Sequence, residues 1–313
     1  MSGPSTTGLS SAARDERAGY LLVFLAALCW SFGGVIARFI EAPDPWTAVF
    51  WRSVWAAAAI LAFMLWRDGA RGTFQLFRGL GLPGLAVACC FAFASTAFVV
   101  ALQYTTVANI LLFQAGGPLI AALLSFVVLG IRVSAPTWAA IAAVFVGVAV
   151  MVSGSVAGGA SLVGDGLGLG IVLAFSVATV LMRRFSHVRM TPATFIGVVI
   201  AGALAASQAG TLAVSPADMG FMFVFGAVNL GLGLALFATG ARLIAPAYTA
   251  LLATFETLLG PVWVWLIHGE VPATMTFVGG AIVFAALLAH IGLEVRRMTR
   301  PQRPGLAGMP APH

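Results

Sequence analysis

Residues 106–130 read TVANILLFQAGGPLIAALLSFVVLG, and residues 245–267 read APAYTALLATFETLLGPVWVWLI. Each run can cross a hydrocarbon layer of ~30 Å as a helix, because a helix rises about 1.5 Å per residue. Each is also interrupted by glycine followed by proline, at Gly116-Gly117-Pro118 in the first and at Gly260-Pro261 in the second. The two stretches therefore predict a pair of corresponding membrane helices.

The composition extends this prediction to the whole chain. Of 313 residues, 61% are hydrophobic and only 8% are charged, whereas a soluble domain carries about 25% charged residues. No soluble core could bury so much apolar surface, so the solvent must be lipid. We predict an all-α membrane protein of ten transmembrane helices, with approximate limits 19–39, 46–66, 80–103, 106–130, 136–153, 163–184, 191–212, 218–240, 245–267 and 273–295.

The breaks between apolar segments predict the organisation of the chain. Turn-forming stretches such as Ala42-Pro43-Asp44-Pro45 separate the segments, and a glycine-rich stretch divides the chain near its middle. We predict five parts: a disordered N-terminal tail (1–18), a first five-helix repeat (19–153), a linker (154–162), a second five-helix repeat (163–295) and a disordered C-terminal tail (296–313).

The arginines predict the orientation. All sixteen basic residues are arginine, and fourteen of them fall on one side of the membrane if the N-terminus is cytoplasmic. Arg38 falls on the other side and Arg52 inside a segment. Basic residues accumulate in cytoplasmic loops. The sequence therefore predicts a multi-pass protein of a bacterial inner membrane with both termini cytoplasmic, and its net charge needs no nucleic-acid partner.

The two halves of the chain repeat weakly. A shift of 139 residues places 140–145 on 279–284 with matches at Ala, Val and Phe, and places Gly130 on Gly269. A shift of 145 places Trp30-Ser31 on Phe175-Ser176 and Arg38 on Arg183. Because each half holds an odd number of helices, the second half inserts upside down. Inverted repeats are a recurring plan of secondary transporters.

These segments resemble the EamA type of the drug/metabolite transporter superfamily over residues 19–295. The resemblance rests on Cys29-Trp30-Ser31-Phe32-Gly33, on Arg52, on Pro118 and Gly130 of the fourth segment, and on Glu256-Thr257-Leu258-Leu259-Gly260-Pro261 followed by His268-Gly269-Glu270. The family often shows Glu-Pro at 256–257 and Gly-Glu at 130–131, where this chain has Glu-Thr and Gly-Ile. The resemblance implies transport of small metabolites such as amino acids, nucleobases, sugars or drugs.

Glu256 is the sharpest candidate for a functional side chain. It lies about 16 Å into the ninth segment, near the bilayer centre, at a helical rise of about 1.5 Å per residue. A carboxylate at this depth faces a cavity or a partner. It is either a proton site or a contact for a cationic substrate group, or else a structural carboxylate held by neighbouring helices.

Four further side chains have polar groups deep in apolar segments. Arg52 is either a ligand for a substrate carboxylate or an anchor between helices. Gln114 and Asn229 either contact substrate or bond helices together. Trp30 either stacks on a substrate or packs in the core.

The glycine–proline interruptions are the hinge candidates Gly116, Gly117, Pro118, Gly260 and Pro261. Proline removes a backbone hydrogen bond and kinks a helix, and paired interruptions in two halves point to a transporter site. The alternative is close helix packing by small residues.

No motif for an enzyme, a nucleotide, a cofactor or a metal appears in the sequence. Cys29, Cys89 and Cys90 lie in apolar runs and predict small buried hydrophobes, with no disulfide. We therefore predict a non-enzymatic secondary transporter, with export as the favoured direction. Its partners are a small-molecule substrate such as an amino acid, the lipid bilayer and, as a secondary hypothesis, protons. The alternatives are an uncoupled facilitator or channel, and a non-transporting membrane scaffold or sensor.

Overall fold

The structure is a computed structural model that describes residues 6–42, 44–131, 133–157, 162–185, 188–244 and 246–299. Within these ranges every regular element is a helix. The elements are α1a (Thr6–Ser31), α1b (Gly33–Phe39), α2 (Pro45–Arg78), α3 (Gly81–Ala101), α4a (Val107–Ala115), α4b (Gly117–Leu129), α5 (Ala135–Ala157), α6 (Leu162–Arg184), α7 (Thr191–Gln208), α8a (Pro216–Phe223), a π-helical segment (Val224–Leu232), α8b (Gly233–Gly240), α9 (Pro246–His268) and α10 (Thr274–Thr299).

The number of membrane spans matches the prediction. In the described part of the chain nine helical stretches are long and apolar enough to cross a membrane, and α4a with α4b makes a tenth span bent by 42°. Below, α1, α4 and α8 denote whole spans. The face where α1b ends and α4a begins is called the distal face, and the face where α1a begins is called the proximal face.

Several predicted boundaries differ from the structure. α1 begins at Thr6, so it overlaps the predicted N-terminal tail. Polar residues of good helix propensity continue the helix, and the Tyr20 hydroxyl donates to Glu16 one turn away at 2.9 Å. α2 runs to Arg78, past a break at Gly69, where φ is 67°. Hydropathy missed these ends because polar and amphipathic turns continue the apolar helices.

The other domain limits fall partly outside the described residues. α5 runs to Ala157 and α6 begins at Leu162, so the predicted linker 154–162 is helical at its start, and residues 158–161 lie outside the described residues. α10 continues to Thr299, beyond the predicted end of the second repeat, and residues 300–313 lie outside. The division into domains at these limits stays a prediction.

The helices pack in pairs that are equivalent under exchange of the two halves. α1 packs on α8 as α6 packs on α3, α1 packs on α9 as α6 packs on α4, and α2 packs on α8 as α7 packs on α3. α5 with α10 and α2 with α7 are pairs that map onto themselves. This is the arrangement expected of two inverted five-helix repeats.

Small residues let the helices approach closely. A Cβ on Gly147 of α5 would lie 2.6 Å from the carbonyl oxygen of Gly279 of α10, and Gly279 is packed equally tightly against Gly147. Apolar side chains on the outside remain exposed, including Leu21, Val127 and Phe277. In lipid such exposure is favourable, so the interior can be built from close packing. Cys89 is also exposed and Cys90 half-buried, so the prediction of burial was wrong for Cys89, which lies on the outward side of α3.

Candidate functional site

The Cys29–Gly33 stretch interrupts α1 and is held by α8. α1a ends at Ser31 and α1b begins at Gly33. On the α8 side, the Asn229 amide nitrogen donates to the carbonyl oxygen of Cys29 at 2.7 Å and to that of Trp30 at 3.4 Å. The Cys29 thiol donates in return to the carbonyl oxygen of Val228 at 3.3 Å. Asn229 thus bonds two irregular helical segments together, since it lies in the π-helical turn of α8.

The same interruption is held on its other side by α9. The Trp263 indole donates to the Ser31 hydroxyl at 3.1 Å, and its ring stacks on Phe32 with centroids 5.1 Å apart. Gly260 lies against the Ser31 carbonyl and the Leu111 side chain of α4a. Sequence reasoning missed Trp263, whose indole N–H needs a partner inside a membrane helix.

Trp30 points toward α8 and away from α9. Its ring lies 5.3 Å from that of Phe237, and its indole nitrogen packs against Gly233, where any Cβ would collide with it. This nitrogen is buried and finds no hydrogen-bond partner within the described ranges. Trp30 and Asn229 therefore lie together on the α1–α8 side of the site.

Glu256 faces the interior of the protein between α9, α1 and α4. Helical spacing places it on the side of α9 that also carries Gly260 and Trp263, and opposite Leu258, which is 46% exposed to the surroundings. Glu256 is half-buried, and its carboxylate forms no hydrogen bond or ion pair with any residue in the described part of the chain. A carboxylate in this position retains its full capacity to bind a proton or a cation.

Gln114 lies close to the level of Glu256. α4 and α9 run antiparallel, because Glu270, two residues after the end of α9, contacts the first residue of α4a. Gln114 is one turn from Leu111, and Glu256 is one turn from Gly260, both toward the proximal face from the Leu111–Gly260 contact. Gln114 is half-buried. The structure therefore brings these two candidates to the same region.

The two glycine–proline interruptions behave differently. α4 bends by 42° between α4a and α4b, and the Ser176 hydroxyl of α6 donates to the Gly117 carbonyl oxygen at 3.2 Å. α9 continues as one helix through Pro261. Gly116 is packed against Val144, whereas a Cβ on Gly117 would meet nothing within 4 Å. Only the α4 interruption is thus a structural break.

Arg52 lies apart from Glu256 and Gln114. It is 7% exposed and donates to the carbonyl and hydroxyl oxygens of Ser95 on α3, at 3.3 and 3.2 Å. Its guanidinium lies 4.2 Å from the ring centroid of Phe225 on α8. The geometry is that of an anchor between α2, α3 and α8, with Nε as its only nitrogen that is buried without a partner within the described ranges.

A polar network at the distal face was not predicted. Arg38 forms an ion pair with Glu270 at 2.9 Å and donates to the Leu102 carbonyl oxygen at 2.9 Å. Nearby, the buried Asp165 accepts from the amide of Asn109, whose oxygen accepts from Thr276 at 3.3 Å. An acid inside the sixth segment was a usable signal for Asp165, but its partner on α4 depends on tertiary packing.

Two cavities adjoin these elements. One of about 120 Å³ opens at the distal face between α1b, α2, α3 and α8, beside Arg38, Asp44 and Gln103. The other, of about 330 Å³, is an apolar groove between α4a, α9 and α10, and its walls include Leu112, Pro261 and Phe284. Neither is lined by Glu256.

The fold and these interruptions define a class: a polytopic membrane protein of two inverted helical repeats, in which the interrupted spans α1 and α8 pack against each other. Residues 17–153, which span α1 to α5, match the EamA-like transporter family. Members of the family are membrane transporters of small molecules and are not enzymes.

A solved crystal structure of another protein supports the fold across both halves. It aligns with a TM-score of 0.61 and 18% sequence identity, over 91% of this chain and 99% of that chain. Comparison with curated protein sequences gives no significant match. The structural likeness therefore concerns the fold alone.

Proposed function

We propose that this protein is a secondary transporter that exports a small metabolite bearing an amino group, such as an amino acid, by alternating access. Its place is a bacterial inner membrane with both termini cytoplasmic, as the arginine distribution indicates. The observation that carries the proposal is Glu256, a half-buried carboxylate that points between α9, α1 and α4 without a partner in the described part of the chain.

The surroundings of Glu256 support a substrate site. Gln114 adds an amide at the same level, and the bend of α4 beside it frees the ends of two half-helices. Irregular backbone at membrane depth is tolerated where it lines a cavity or is covered by protein, and transporter sites use such discontinuous helices. A cationic amino group of the substrate would contact Glu256, and the Gln114 amide would bond to a neighbouring polar group of the substrate.

Proton coupling through Glu256 is the finer part of the proposal. A carboxylate that binds either a proton or an amino group exchanges one for the other, which links export of substrate to entry of protons. Asp165 and Asp218 are also buried acids of described spans, but Asp165 accepts from Asn109 and Asp218 accepts from the backbone N–H of Glu41. Glu256 is therefore the acid that we assign to coupling.

Reconstituted vesicles test the proposal. Wild-type protein is screened against amino acids, nucleobases and organic cations under an imposed proton gradient. We expect concentrative, pH-dependent transport of an amine-bearing solute, and a decrease of at least about tenfold with loss of pH dependence for Glu256→Gln. Glu41→Gln, which changes an exposed carboxylate on the distal loop, serves as the matched control.

Each alternative gives a distinct result. Transport that only equilibrates the solute under the same gradient identifies a facilitator or channel. A folded protein that moves none of the solutes supports a scaffold or sensor. Glu256→Gln with unchanged pH dependence contradicts the coupling role and leaves the carrier role standing.

A further inference from the structure

Arg38 and Glu270 join several helices at the distal face through a dense set of bonds, which we call the clasp. The Arg38 Nε atom donates to Glu270 at 3.0 Å, and Nη2 lies 2.9 Å from the same carboxylate oxygen. Nη2 donates to the Thr105 carbonyl oxygen at 3.3 Å, and Nη1 donates to that of Leu102 at 2.9 Å. The second oxygen of Glu270 accepts from the backbone N–H of Val107 at 2.8 Å. One ion pair thus joins α1b, the α3–α4 turn, the start of α4a and the end of α9.

The setting of the clasp makes these bonds stronger than an ordinary surface pair. The Arg38 and Glu270 side chains are 29% and 18% exposed. A partly shielded arginine–carboxylate pair with several hydrogen bonds is stronger than a solvated one. Glu270 also lies at the N-terminus of α4a, where a helix favours negative charge.

The repeat has a corresponding place at the proximal face. Gly130 and Gly269 correspond under the shift of 139, and both end their helices with positive φ, 65° and 66°. The backbone N–H of Gly130 donates to the carbonyl oxygen of Phe126, and that of Gly269 donates to the carbonyl oxygen of Trp265, which is the equivalent position in the last turn. The backbone frame that presents Glu270 at the distal face therefore exists in the other half at residue 131.

The chemistry of the clasp is missing from that second frame. Glu270 corresponds to Ile131, which has no carboxylate. Val107 corresponds to Pro246, which has no backbone N–H to donate. Arg38 corresponds to Arg183, which is exposed. Of these three groups of the clasp, only the cation is repeated.

We infer that the clasp is a one-sided gate: it favours the conformation closed at the distal face, and its rupture is the step that opens this face during transport. Equivalent bonds would balance two inverted halves, but the positions that correspond to Glu270 and Val107, Ile131 and Pro246, supply neither the carboxylate nor the backbone N–H at the proximal face. The resting protein therefore opens to the proximal face. The inference rests on the proposed alternating access, because only a protein with two conformations needs a gate.

A conformational readout tests the gate without any substrate. Cys29, Cys89 and Cys90 are replaced by serine, and a single cysteine is introduced at Ala108, buried in the first turn of α4a, or at its counterpart Ala247 in α9. A membrane-impermeant maleimide is then applied from each side of sealed vesicles. Glu270→Gln is expected to raise the labelling rate at 108 from the distal side by about three- to tenfold and to lower that at 247 from the proximal side.

A gain of function sharpens the test. Ile131→Glu supplies the missing carboxylate near the end of α6, and it is expected to shift labelling in the same direction as Glu270→Gln. Asp68→Asn is the matched control, because it breaks a different ion pair, Arg189–Asp68, which joins α2 to the start of α7. The control is expected to leave both labelling rates unchanged.

The outcomes separate the gate from the transport proposal. Unchanged labelling in Glu270→Gln and in Ile131→Glu, with both variants folded by gel filtration, overturns the one-sided gate and leaves transport untouched. A shift in labelling with no transported solute in the screen supports the clasp as the bonds that hold the distal face closed, and it overturns the carrier assignment and the role of the clasp in transport. Equal shifts of the labelling rates in Asp68→Asn also overturn the gate, since they show that loss of any ion pair loosens the helix packing.

Discussion

At the scale of single residues, depth in the membrane indicates which polar side chains need a partner. The depth of Glu256 and the motif around it make this residue a site candidate, and it faces the protein interior without a partner in the described part of the chain. Asn229 is a candidate through its depth, but its amide bonds the Cys29 carbonyl of α1. A single sequence predicts that a deep polar group must be satisfied, but tertiary packing decides which group satisfies it.

Arg52 gives a prediction that separates a structural role from a substrate role. Lysine cannot reproduce its bonds to Ser95 and its position over the Phe225 ring, because the ammonium is compact and lacks the planar fork. We expect Arg52→Lys to lower the free energy of unfolding by roughly 1–3 kcal/mol. The measurement is the temperature at which the peak of the folded protein disappears in gel filtration in detergent, which is expected to be lower than for the wild type.

Ser95→Ala is the control for the Arg52 prediction. It removes one acceptor and leaves the Ser95 carbonyl and the ring contact in place, so it is expected to have a smaller effect. If the Arg52→Lys protein keeps its wild-type stability and loses transport, Arg52 is a substrate ligand.

At the scale of elements, the apolar segments could be predicted and their irregularities could not. Each of the ten segments overlaps a helix or a broken pair of helices, because hydropathy fixes the part of a helix that lies in lipid. Proline alone did not predict a break: α9 continues through Pro261, whereas α4 bends where two glycines precede Pro118. The glycines remove the side-chain packing that would otherwise hold the turn straight.

The contact between α5 and α10 depends on two glycines that face each other. Both backbones occupy the space that a Cβ would need, and neither can move as the end of a flexible side chain can. We expect Gly279→Ala to separate the two helices and to lower the free energy of unfolding by roughly 1–3 kcal/mol, measured by thermal unfolding in detergent.

Gly292→Ala on the same helix is the matched control for this contact. A Cβ at Gly292 meets nothing within 4 Å, so helix propensity alone acts and the expected change is a stabilisation of about 0.5–1 kcal/mol. Equal effects of the two substitutions would show that helix propensity, and not the close approach to Gly147, determines the outcome.

At the scale of the whole molecule, neither half is complete alone. α1 packs on α8 and α9, α6 packs on α3 and α4, and α2 packs on α7, so most apolar faces of one half are covered by the other half. The weak internal matches of the sequence were sufficient to predict two repeats. They could not show that the repeats interlock, because packing partners across the halves leave no periodic signal in either half.

The interlocking predicts that the protein survives division at its connector. Two chains, residues 1–157 and residues 158–313, keep every described contact between helices, since α5 ends at Ala157 and α6 begins at Leu162. Co-expressed in one membrane, they are expected to copurify through a tag on either chain and to retain the elution volume of the intact protein.

The first chain expressed alone exposes the surfaces of α1, α2 and α5 that α8, α7 and α10 normally cover, so it is expected to aggregate on extraction in detergent. If the first chain is extracted as a stable monomer, and the second chain does not increase its stability, the halves are independent domains. Alternating access would then occur within one repeat and could not rely on rocking between two.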